Sequence, residues 1–385
     1  MKRFIKLFFL YFFIIFLSVE IFLRLFFFYF ERYSSWEERS GLFVYDSLIG
    51  WRGAPNRRVH VKTFESKFLV KTDSLGFRNL FYKGEKKGRK VLMYGDSFLW
   101  GYHLNNEELI SSRLSEELDV EVKNYGMIGY GTDQEYILFR GSVEDSSLVV
   151  FFFYLNDLRD ILHDNLDTPY KPKPKFIIRK DSLILTNCPV GKNREKVETE
   201  KRNIDLGIRY RLSELLKKIL YKSFIVRIIF SNLQYNSFGK LLYEKNLMEI
   251  PEYMKSEWDI PNCENIPLAL RIYEKIILEV KRECKERGCD LIVFMIPSEW
   301  TYQRELQKKL ERLRVLYGYN DRYEEVMDSV ENILKRNGIR YIYPLEDFRR
   351  MDAKRKLTKK FDKHFSKEGA EFVKEILRRE IEKSF

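Results

Sequence analysis

The sequence has few cysteines and few histidines, and each shortage limits the chemistry available to it. Four of its 385 residues are cysteine, namely Cys188, Cys263, Cys284 and Cys289, and their spacing is not that of a zinc site. Their disulfide state cannot be read from sequence. Four residues are histidine, so few side chains are suited to act as a general base near neutral pH. No internal repeat is present.

The charge balance is basic, without a nucleic-acid-binding signature. The chain has 69 lysines and arginines against 57 aspartates and glutamates, a formal net charge of +12. Neither a zinc finger nor an RNA-binding motif accompanies this charge, so we expect no nucleic-acid partner. With 45% hydrophobic residues the chain has ample material for a globular core. We interpret the excess charge as a solvated surface, compatible with acidic glycans or anionic lipid.

One long apolar run is present, at the amino terminus. It extends over Leu7 to Val19 and continues to Phe30, with Glu20 and Arg24 spaced to pair on one helix face. This length is sufficient to span a bilayer. Basic residues precede the run and no small-residue cleavage site follows it, which favours a retained signal anchor with a cytoplasmic amino terminus. We predict a single-pass anchor over residues 1–30, with the remaining chain on the extracytoplasmic side of the cell membrane.

Two further regions follow the anchor. Residues 31–87 comprise a polar linker and a small β region of short alternating segments. Residues 88–385 form an α/β domain whose alternation lapses at about 160–261. That stretch contains a hairpin over Phe176–Leu185 and helical segments over Ile208–Tyr221 and Phe224–Leu233, and we interpret it as an insertion that caps the site.

Five apolar segments of the α/β domain alternate with amphipathic helices. This alternation predicts a three-layer α/β/α fold with a mainly parallel five-stranded sheet of the flavodoxin-like, doubly wound kind. The predicted strands are Val91–Tyr94, Val120–Tyr125, Ser147–Leu155, Asp290–Ile296 and Ile339–Tyr343. The predicted helices are Asn106–Leu118 with Asn106 as its cap, Asp133–Arg140, Leu268–Arg287, Asp321–Lys335 and Lys367–Lys383.

The first of these strands ends abruptly at Gly95-Asp96-Ser97. The carboxyl edge of a parallel sheet is where ligands bind in open α/β folds, so this ending exposes a serine at a functional edge. The glycine permits a sharp turn where a side chain would clash. The same tripeptide also forms ordinary turns, so a catalytic interpretation needs partners elsewhere.

A serine nucleophile needs a base and a group that orients the base. His364 lies between the last strand and the last helix, at the same sheet edge, and Asp362 two residues before it is placed to hold its second ring nitrogen. His103, just after the serine turn, is the alternative base, although the local chain geometry disfavours it. His60 and His163 are expected at the surface.

Two more strand ends offer donors for an oxyanion. Gly126 to Thr132 is a glycine-rich turn that brings backbone N–H groups close to a ligand. Asn156 follows the most apolar strand, with a side-chain amide available to donate. A tight turn and a helix cap are the structural alternatives for these two segments.

These four segments, in this order, resemble the blocks of the SGNH, or GDSL-like, hydrolases. Gly95 to Phe98 matches the first block, Gly126 to Thr132 the second, Leu155 to Asp157 the third, and Asp362 with His364 the last. The resemblance implies that Ser97 is the nucleophile, His364 the base and Asp362 its orienting group. It also implies an oxyanion hole made by the Ser97 and Gly129 N–H groups and the Asn156 amide, with no metal or organic cofactor.

The chain departs from the family pattern at two places. Asp362 and His364 are two residues apart instead of three, a spacing that also occurs in extracytoplasmic branches related to polysaccharide O-acetyltransferases. Asp352 is the substitute should Asp362 not orient the base. Leu155 replaces the usual glycine before Asn156.

The resemblance carries an expected activity. It implies a membrane-anchored serine esterase acting on O-acyl, chiefly O-acetyl, esters of a cell-envelope glycan or lipid. The alternatives are an O-acyltransferase of the same fold and a catalytically silent glycan-binding protein. Substrate identity and oligomeric state stay open.

Overall fold

The chain divides into two compact units. One comprises Met1–Trp36, Val197–Ser256 and Lys308–Asp321, and the other Glu37–Lys196, Glu257–Gln307 and Arg322–Phe385. The computed structural model describes residues 2–34, 41–63, 65–79, 90–167, 170–191, 222–223, 225–226, 229, 233, 237–244, 265–318, 322–360 and 362–384.

The described elements alternate between helix and strand in the larger unit. The helices are α1 (Lys2–Ser34), α2 (Ser97–Trp100), α3 (Ile110–Leu118), α4 (Thr132–Ser142), α5 (Asn156–Asp160), α6 (Ser237–Glu244), α7 (Ile266–Glu286), α8 (Glu299–Tyr302), α9 (Arg304–Tyr317), α10 (Tyr323–Arg336), α11 (Leu345–Asp352) and α12 (Lys367–Glu382). The strands are β1 (Phe43–Asp46), β2 (Gly50–Gly53), β3 (Arg58–Lys62), β4 (Lys67–Lys71), β5 (Val91–Tyr94), β6 (Val122–Asn124), β7 (Leu148–Phe153), β8 (Asn165–Asp167), β9 (Tyr170–Pro172), β10 (Lys175–Arg179), β11 (Ser182–Thr186), β12 (Asp290–Met295) and β13 (Arg340–Ile342).

The smaller unit contains the long amino-terminal helix. Within α1, the stretch Arg3–Phe26 has a mean hydropathy of 2.3 and is long and apolar enough to cross a membrane, by length and composition. Glu20 and Arg24 form the ion pair expected from their spacing, at 2.9 Å. The buried Glu20 carboxylate also accepts a 2.8 Å hydrogen bond from the Ser223 hydroxyl. The charge inside this apolar helix is therefore compensated by partners.

The central sheet of the larger unit is entirely parallel. Its strands lie in the order β13-β12-β7-β5-β6. From β5 the chain runs first to the neighbour on one side, β6, and then to the neighbour on the other side, β7. The strand order therefore reverses at β5, and its carboxyl end lies at a topological switch point, where ligands bind in open α/β sheets.

Each face of the sheet is covered by helices, which makes the fold three-layered. Alternate strand residues such as Met93 and Phe294 point to one face and share a buried cluster with residues of α3 and α12. On the opposite face, the Phe153 ring meets Tyr273 of α7 with centroids 5.0 Å apart. Both faces are apolar, as expected for strands of a buried parallel sheet.

Between α1 and β5, the chain forms two antiparallel hairpins, β1–β2 and β3–β4. The loop after α2 is bound to them through the buried Arg78, which donates to the carbonyls of Trp100, Gly101 and Leu104 at 2.7–3.0 Å. Burial lowers the pKa of this guanidinium to about 9, opposed by the nearby carboxylates of two glutamates. The small β region thus shares hydrogen bonds with the α/β domain.

The predicted fold class is confirmed, including all five sheet strands. The prediction that Asn106 caps the helix predicted at Asn106–Leu118 is wrong. Asn105 makes the capping box with Glu108, because Asn106 is buried and its amide oxygen instead accepts from Lys71 and Arg78. Six helices of the described residues were not predicted, because short or charge-rich segments have weak apolar periodicity; they are α2, α5, α6, α8, α9 and α11.

Parts of the predicted insertion can be compared with the structure. The hairpin predicted at Phe176–Leu185 is present as β10–β11. The helix predicted at Ile208–Tyr221 and most of that at Phe224–Leu233 lie outside the described residues. Cys188, Cys284 and Cys289 are free thiols, whereas Cys263 is also outside the described residues.

Candidate active site

Ser97 opens α2 directly after β5, at the switch point of the sheet. Asp96 caps this helix, with its carboxylate accepting from the Phe98 N–H at 2.9 Å. Gly95 is required by close packing, since a Cβ there would lie 2.8 Å from the Cβ of Phe152 on β7. The turn therefore holds Ser97 at the sheet edge, with a buried acid beside it.

Three side chains from distant parts of the chain form a hydrogen-bonded relay. The Ser97 hydroxyl lies 2.7 Å from Nε2 of His364, a residue 267 positions later in the chain. Nδ1 of His364 is hydrogen-bonded to the Oδ1 atom of Asp362. With the carboxylate on Nδ1, the ring proton belongs on that nitrogen, and Nε2 is free to accept from Ser97.

Aromatic rings orient the His364 imidazole. The rings of Phe98 and Tyr102 lie beside it, with centroids at 4.8 and 4.9 Å. The carbonyl of His364 accepts from the Lys359 N–H at 2.8 Å, and Ser366 caps α12 by accepting from Gly369. Both the ring and its backbone are therefore held on the approach to α12.

The electrostatics of the relay favour an imidazole paired with a carboxylate. Burial opposes the charged form of His364, but the hydrogen bond and charge of Asp362 outweigh it and raise the pKa of the imidazole. Burial likewise opposes ionisation of Asp362, but His103 and His364 together hold the pKa of that carboxyl well below its usual range. Asp362 is therefore an anion at neutral pH, able to stabilise an imidazolium.

The glycine-rich turn places Gly129 beside the β region. Gly129 has φ +73°, in the left-handed region that favours glycine. Trp51 of β2 brackets it, because the indole donates to the Ile128 carbonyl at 3.0 Å and the Trp51 carbonyl accepts from the Tyr130 hydroxyl at 2.5 Å. Among the hydrogen bonds of the described residues, none has the Gly129 or Ser97 N–H as its donor.

Asn156 is the first residue of α5, at the carboxyl end of β7. Its amide nitrogen donates to Oδ2 of Asp160 at 3.1 Å, which engages one of its two N–H bonds. The same amide helps to ionise Asp96, although burial dominates and raises the Asp96 pKa to about 6. Asn156 therefore lies between the two buried acids, next to the Ser97 turn.

His103, the disfavoured alternative base, lies close to the relay. Among the hydrogen bonds of the described residues, none joins it to Ser97. Its side chain is 1% exposed, and Nε2 lies 3.1 Å from Oδ1 of Asp362, so it contacts the carboxylate of the relay. The backbone of His103 has φ +70°, which turns the ring back towards the site. This left-handed conformation could not be predicted from the local sequence, because histidine seldom adopts it.

A second acid close to the relay was also missed. Glu299, on α8, is buried and accepts from the Tyr154 hydroxyl at 2.9 Å. Burial raises the pKa of Glu299, opposed in part by Lys363 and His364. Because α8 was not predicted, no sequence signal placed this carboxylate near the relay.

Two groups of acidic and imidazole side chains among the described residues have metal-ligand spacing. His103, Asp362 and His364 form one, and they are the residues of the relay and its neighbour. The other consists of Glu117, Glu371 and Glu375, which surround the buried ammonium group of Lys374 at 2.6–2.7 Å. The second group is therefore a salt-bridge cluster centred on a lysine.

Comparisons with known proteins give remote structural likenesses. No family model matches the chain, and no curated protein matches it. Three solved structures that it resembles are a lipase/acylhydrolase from Enterococcus faecalis, a G-D-S-L family lipolytic protein from Veillonella parvula, and a catalytic mutant of an acetylxylan esterase from Geobacillus stearothermophilus. Their identities are 14%, 11% and 12%, and their TM-scores 0.32, 0.35 and 0.35. The matches cover 75–76% of this chain and 94–97% of those chains.

The four sequence blocks meet at one edge of a parallel sheet with the order β13-β12-β7-β5-β6. The domain has the three-layer α/β/α fold with a five-stranded parallel sheet that the resemblance to SGNH/GDSL-like hydrolases implies. In this domain the first block follows β5, the second follows β6, the third follows β7 and the last precedes α12.

Proposed function

We propose that the chain is a serine hydrolase that cleaves O-acyl esters, with Ser97 as nucleophile. The observation that carries this proposal is the relay from the Ser97 hydroxyl to His364 Nε2, at 2.7 Å, and from His364 Nδ1 to Asp362. A serine next to an oriented imidazole is the arrangement that activates a hydroxyl for attack on an ester carbonyl. The position of Ser97 at the switch point makes it accessible to a ligand.

In the acylation step, His364 takes the hydroxyl proton of Ser97 while the Ser97 oxygen forms a bond to the ester carbonyl carbon. The imidazolium that forms is stabilised by Asp362, which keeps its charge throughout. His364 then gives the proton to the departing alcohol oxygen, and the acyl group remains on Ser97. In the second step, His364 takes a proton from water as the water oxygen attacks the acyl carbonyl carbon, and then gives that proton to the Ser97 oxygen as the bond to the acyl group breaks and the carboxylic acid leaves.

The developing oxyanion is assigned to three donors. They are the N–H groups of Ser97 and Gly129 and the side-chain amide of Asn156, which lies between Asp160 and Asp96. An amide that is already held in place by a hydrogen bond needs little reorientation when the oxyanion forms, so it stabilises the developing charge at a small energetic cost.

We further propose a membrane-anchored enzyme, with α1 as anchor and the SGNH-like domain on the extracytoplasmic side. The apolar stretch within Arg3–Phe26 and the basic residues at its amino-terminal end, Lys2, Arg3 and Lys6, support this topology. An enzyme tethered there meets acylated envelope glycans or lipids. An O-acyl, chiefly O-acetyl, ester of such a glycan or lipid is the substrate class that we propose.

A second candidate is an O-acyltransferase of the same architecture, favoured by the two-residue spacing of Asp362 and His364. In that reaction a sugar hydroxyl replaces water in the second step, and the relay deprotonates it in the same way. Mass analysis of products formed from an acetyl donor with and without an oligosaccharide acceptor separates the two activities. Free acetate alone identifies a hydrolase, whereas an acetylated oligosaccharide identifies a transferase.

A fluorophosphonate probe tests the nucleophile directly, because it labels activated serines. The full-length chain in detergent is expected to label, and the Ser97→Ala variant is expected not to. Ser182→Ala is the matched control, since this serine is exposed on the β10–β11 hairpin. Equal labelling of the wild type and Ser97→Ala, or no labelling of the wild type, would refute the assignment and favour a silent glycan-binding protein.

A further inference from the structure

We propose that the tip of the β3–β4 hairpin and His103 together form a positioning unit for Asp362. The unit consists of Thr63, Glu65 and Ser66 from the hairpin, with His103 from the loop after α2. It acts on the reaction through Asp362 and His364, and so rests on the function proposed above. The hairpin is thereby a working part of the active site.

His103 bridges the hairpin and the relay. On one side, Nδ1 lies 2.5 Å from the Ser66 hydroxyl and 3.4 Å from the Thr63 hydroxyl. On the other side, Nε2 lies 3.1 Å from Oδ1 of Asp362. With the Ser66 hydroxyl donating to Nδ1, the ring proton belongs on Nε2. Nε2 lies at ion-pair distance from Oδ1 of Asp362 without the alignment of a hydrogen bond, so the hairpin hydroxyls select the tautomer whose proton acts electrostatically on that carboxylate.

The conformation of His103 is costly by itself. Its φ of +70° is in the left-handed region, which residues other than glycine seldom adopt. Such conformations persist where the surroundings enforce them, and they cluster at functional sites. Here the surroundings include the Arg78 guanidinium, which donates to the carbonyls of Gly101 and Leu104 on both sides of the loop.

Glu65 holds the backbone of the relay loop. Its Oε1 atom accepts from the Lys360 N–H and its Oε2 atom from the Asp362 N–H, each at 2.8 Å. These two bonds fix the main chain on which Asp362 is carried. The hairpin thus contacts Asp362 twice, at its backbone through Glu65 and at its carboxylate through His103.

Sharing the carboxylate has a consequence for the basicity of His364. The same oxygen, Oδ1 of Asp362, faces both Nε2 of His103 and Nδ1 of His364. The other charged groups that act on His364 are Asp96 and Glu299, and Lys363 acts on Glu299. Without the His103 proton, the Asp362 charge acts on His364 alone, so the imidazolium is stabilised more strongly.

The test compares variants of the full-length chain in detergent, with p-nitrophenyl acetate as substrate. His103→Leu removes the N–H but fills the space, and we expect kcat to fall roughly 10- to 100-fold with KM nearly unchanged. The acid limb of its kcat/KM profile is expected to move to higher pH, which a packing defect alone would not produce. His103→Gln retains an N–H donor and is expected to recover most of the loss. His60→Gln, an exposed histidine of β3, is the matched control.

Glu65→Gln and Ser66→Ala test the unit without altering the imidazole. Both variants are expected to lower kcat with KM nearly unchanged. They replace His103→Leu as the test if that variant shows no cooperative thermal unfolding and is therefore not folded. Wild-type kcat and an unmoved acid limb in the His103 and Glu65 variants would overturn the proposal. Ser97→Ala would still be inactive in that case, so the proposed function would survive. Loss of wild-type turnover on adding EDTA would assign the two imidazoles to a metal and would also overturn the positioning unit. A wild type that neither reacts with the fluorophosphonate probe nor hydrolyses p-nitrophenyl acetate would overturn both proposals.

Discussion

Replacing Asp362 by asparagine tests the relay at its carboxylate. The change preserves size, but it replaces an anion by a neutral amide next to Nδ1 of His364, the atom hydrogen-bonded to Asp362. If the amide nitrogen donates to Nδ1, the ring proton must move to Nε2, which then faces the Ser97 hydroxyl with a proton instead of a lone pair. The base is then in the wrong tautomer.

The magnitude follows from this loss of tautomer and charge. Comparable carboxylate-to-amide changes in serine triads lower kcat by about 10⁴, which corresponds to about 5.5 kcal/mol of transition-state stabilisation. For Asp362→Asn we expect a loss of roughly 10³- to 10⁴-fold, because Asp362 is about a third exposed and water moderates its field. The binding of substrate, and hence KM, is expected to change little.

Steady-state turnover of p-nitrophenyl acetate across pH measures the effect. Because Asp362 raises the pKa of His364, its loss is expected to move the acid limb of kcat/KM to lower pH, opposite in sign to the His103→Leu shift. Asp352→Asn is the control, since Asp352 was the substitute orienting group. A kcat of Asp362→Asn within threefold of the wild type would refute the relay, and a loss on Asp352→Asn instead would transfer the role to that residue.

Three further predictions concern the base, the oxyanion donors and the topology. The kcat/KM of the wild type is expected to be lost as pH falls through a His364 pKa raised above its ordinary value of 6.5, because only the neutral imidazole accepts the Ser97 proton; an acid limb below that value would contradict the stabilisation of the imidazolium by Asp362. Asn156→Ala is expected to lower kcat by roughly 10²- to 10³-fold while fluorophosphonate labelling persists, and unchanged kcat would remove Asn156 from the oxyanion site. A phosphatase that is active only outside the cytoplasm is expected to be active when it is fused after Phe385. Activity of a reporter that works only in the cytoplasm, fused at the same position, would reverse the topology.

Sequence patterning predicted the sheet because the strand signals are strong. The run Leu148–Phe153 is continuously apolar and lies at the sheet centre, as buried parallel strands require. Short elements such as α8 were missed, since a single turn of helix has too few residues to establish a period. Glu299, which α8 carries, was missed with it.

The candidate site was predictable in part, for a topological reason. Parallel strands bring their carboxyl ends to one edge, so Ser97 and Asn156, each following a strand, were expected to be neighbours before any contact was known. The resemblance to SGNH hydrolases then named His364 and Asp362. The contact of His103 with Asp362 was not predictable, because it depends on a backbone conformation that the residue type disfavours.

The sequence by itself determined the fold class, the apolar amino-terminal helix and the four segments that supply the site. These depend on local patterns: apolar periodicity, a strand ending in glycine, and residue types at strand ends. Only the tertiary structure decided that a hairpin tip holds Asp362 and that His103 shares its carboxylate. Such contacts depend on ångström-scale loop geometry between residues up to 297 positions apart, and no local pattern encodes that distance.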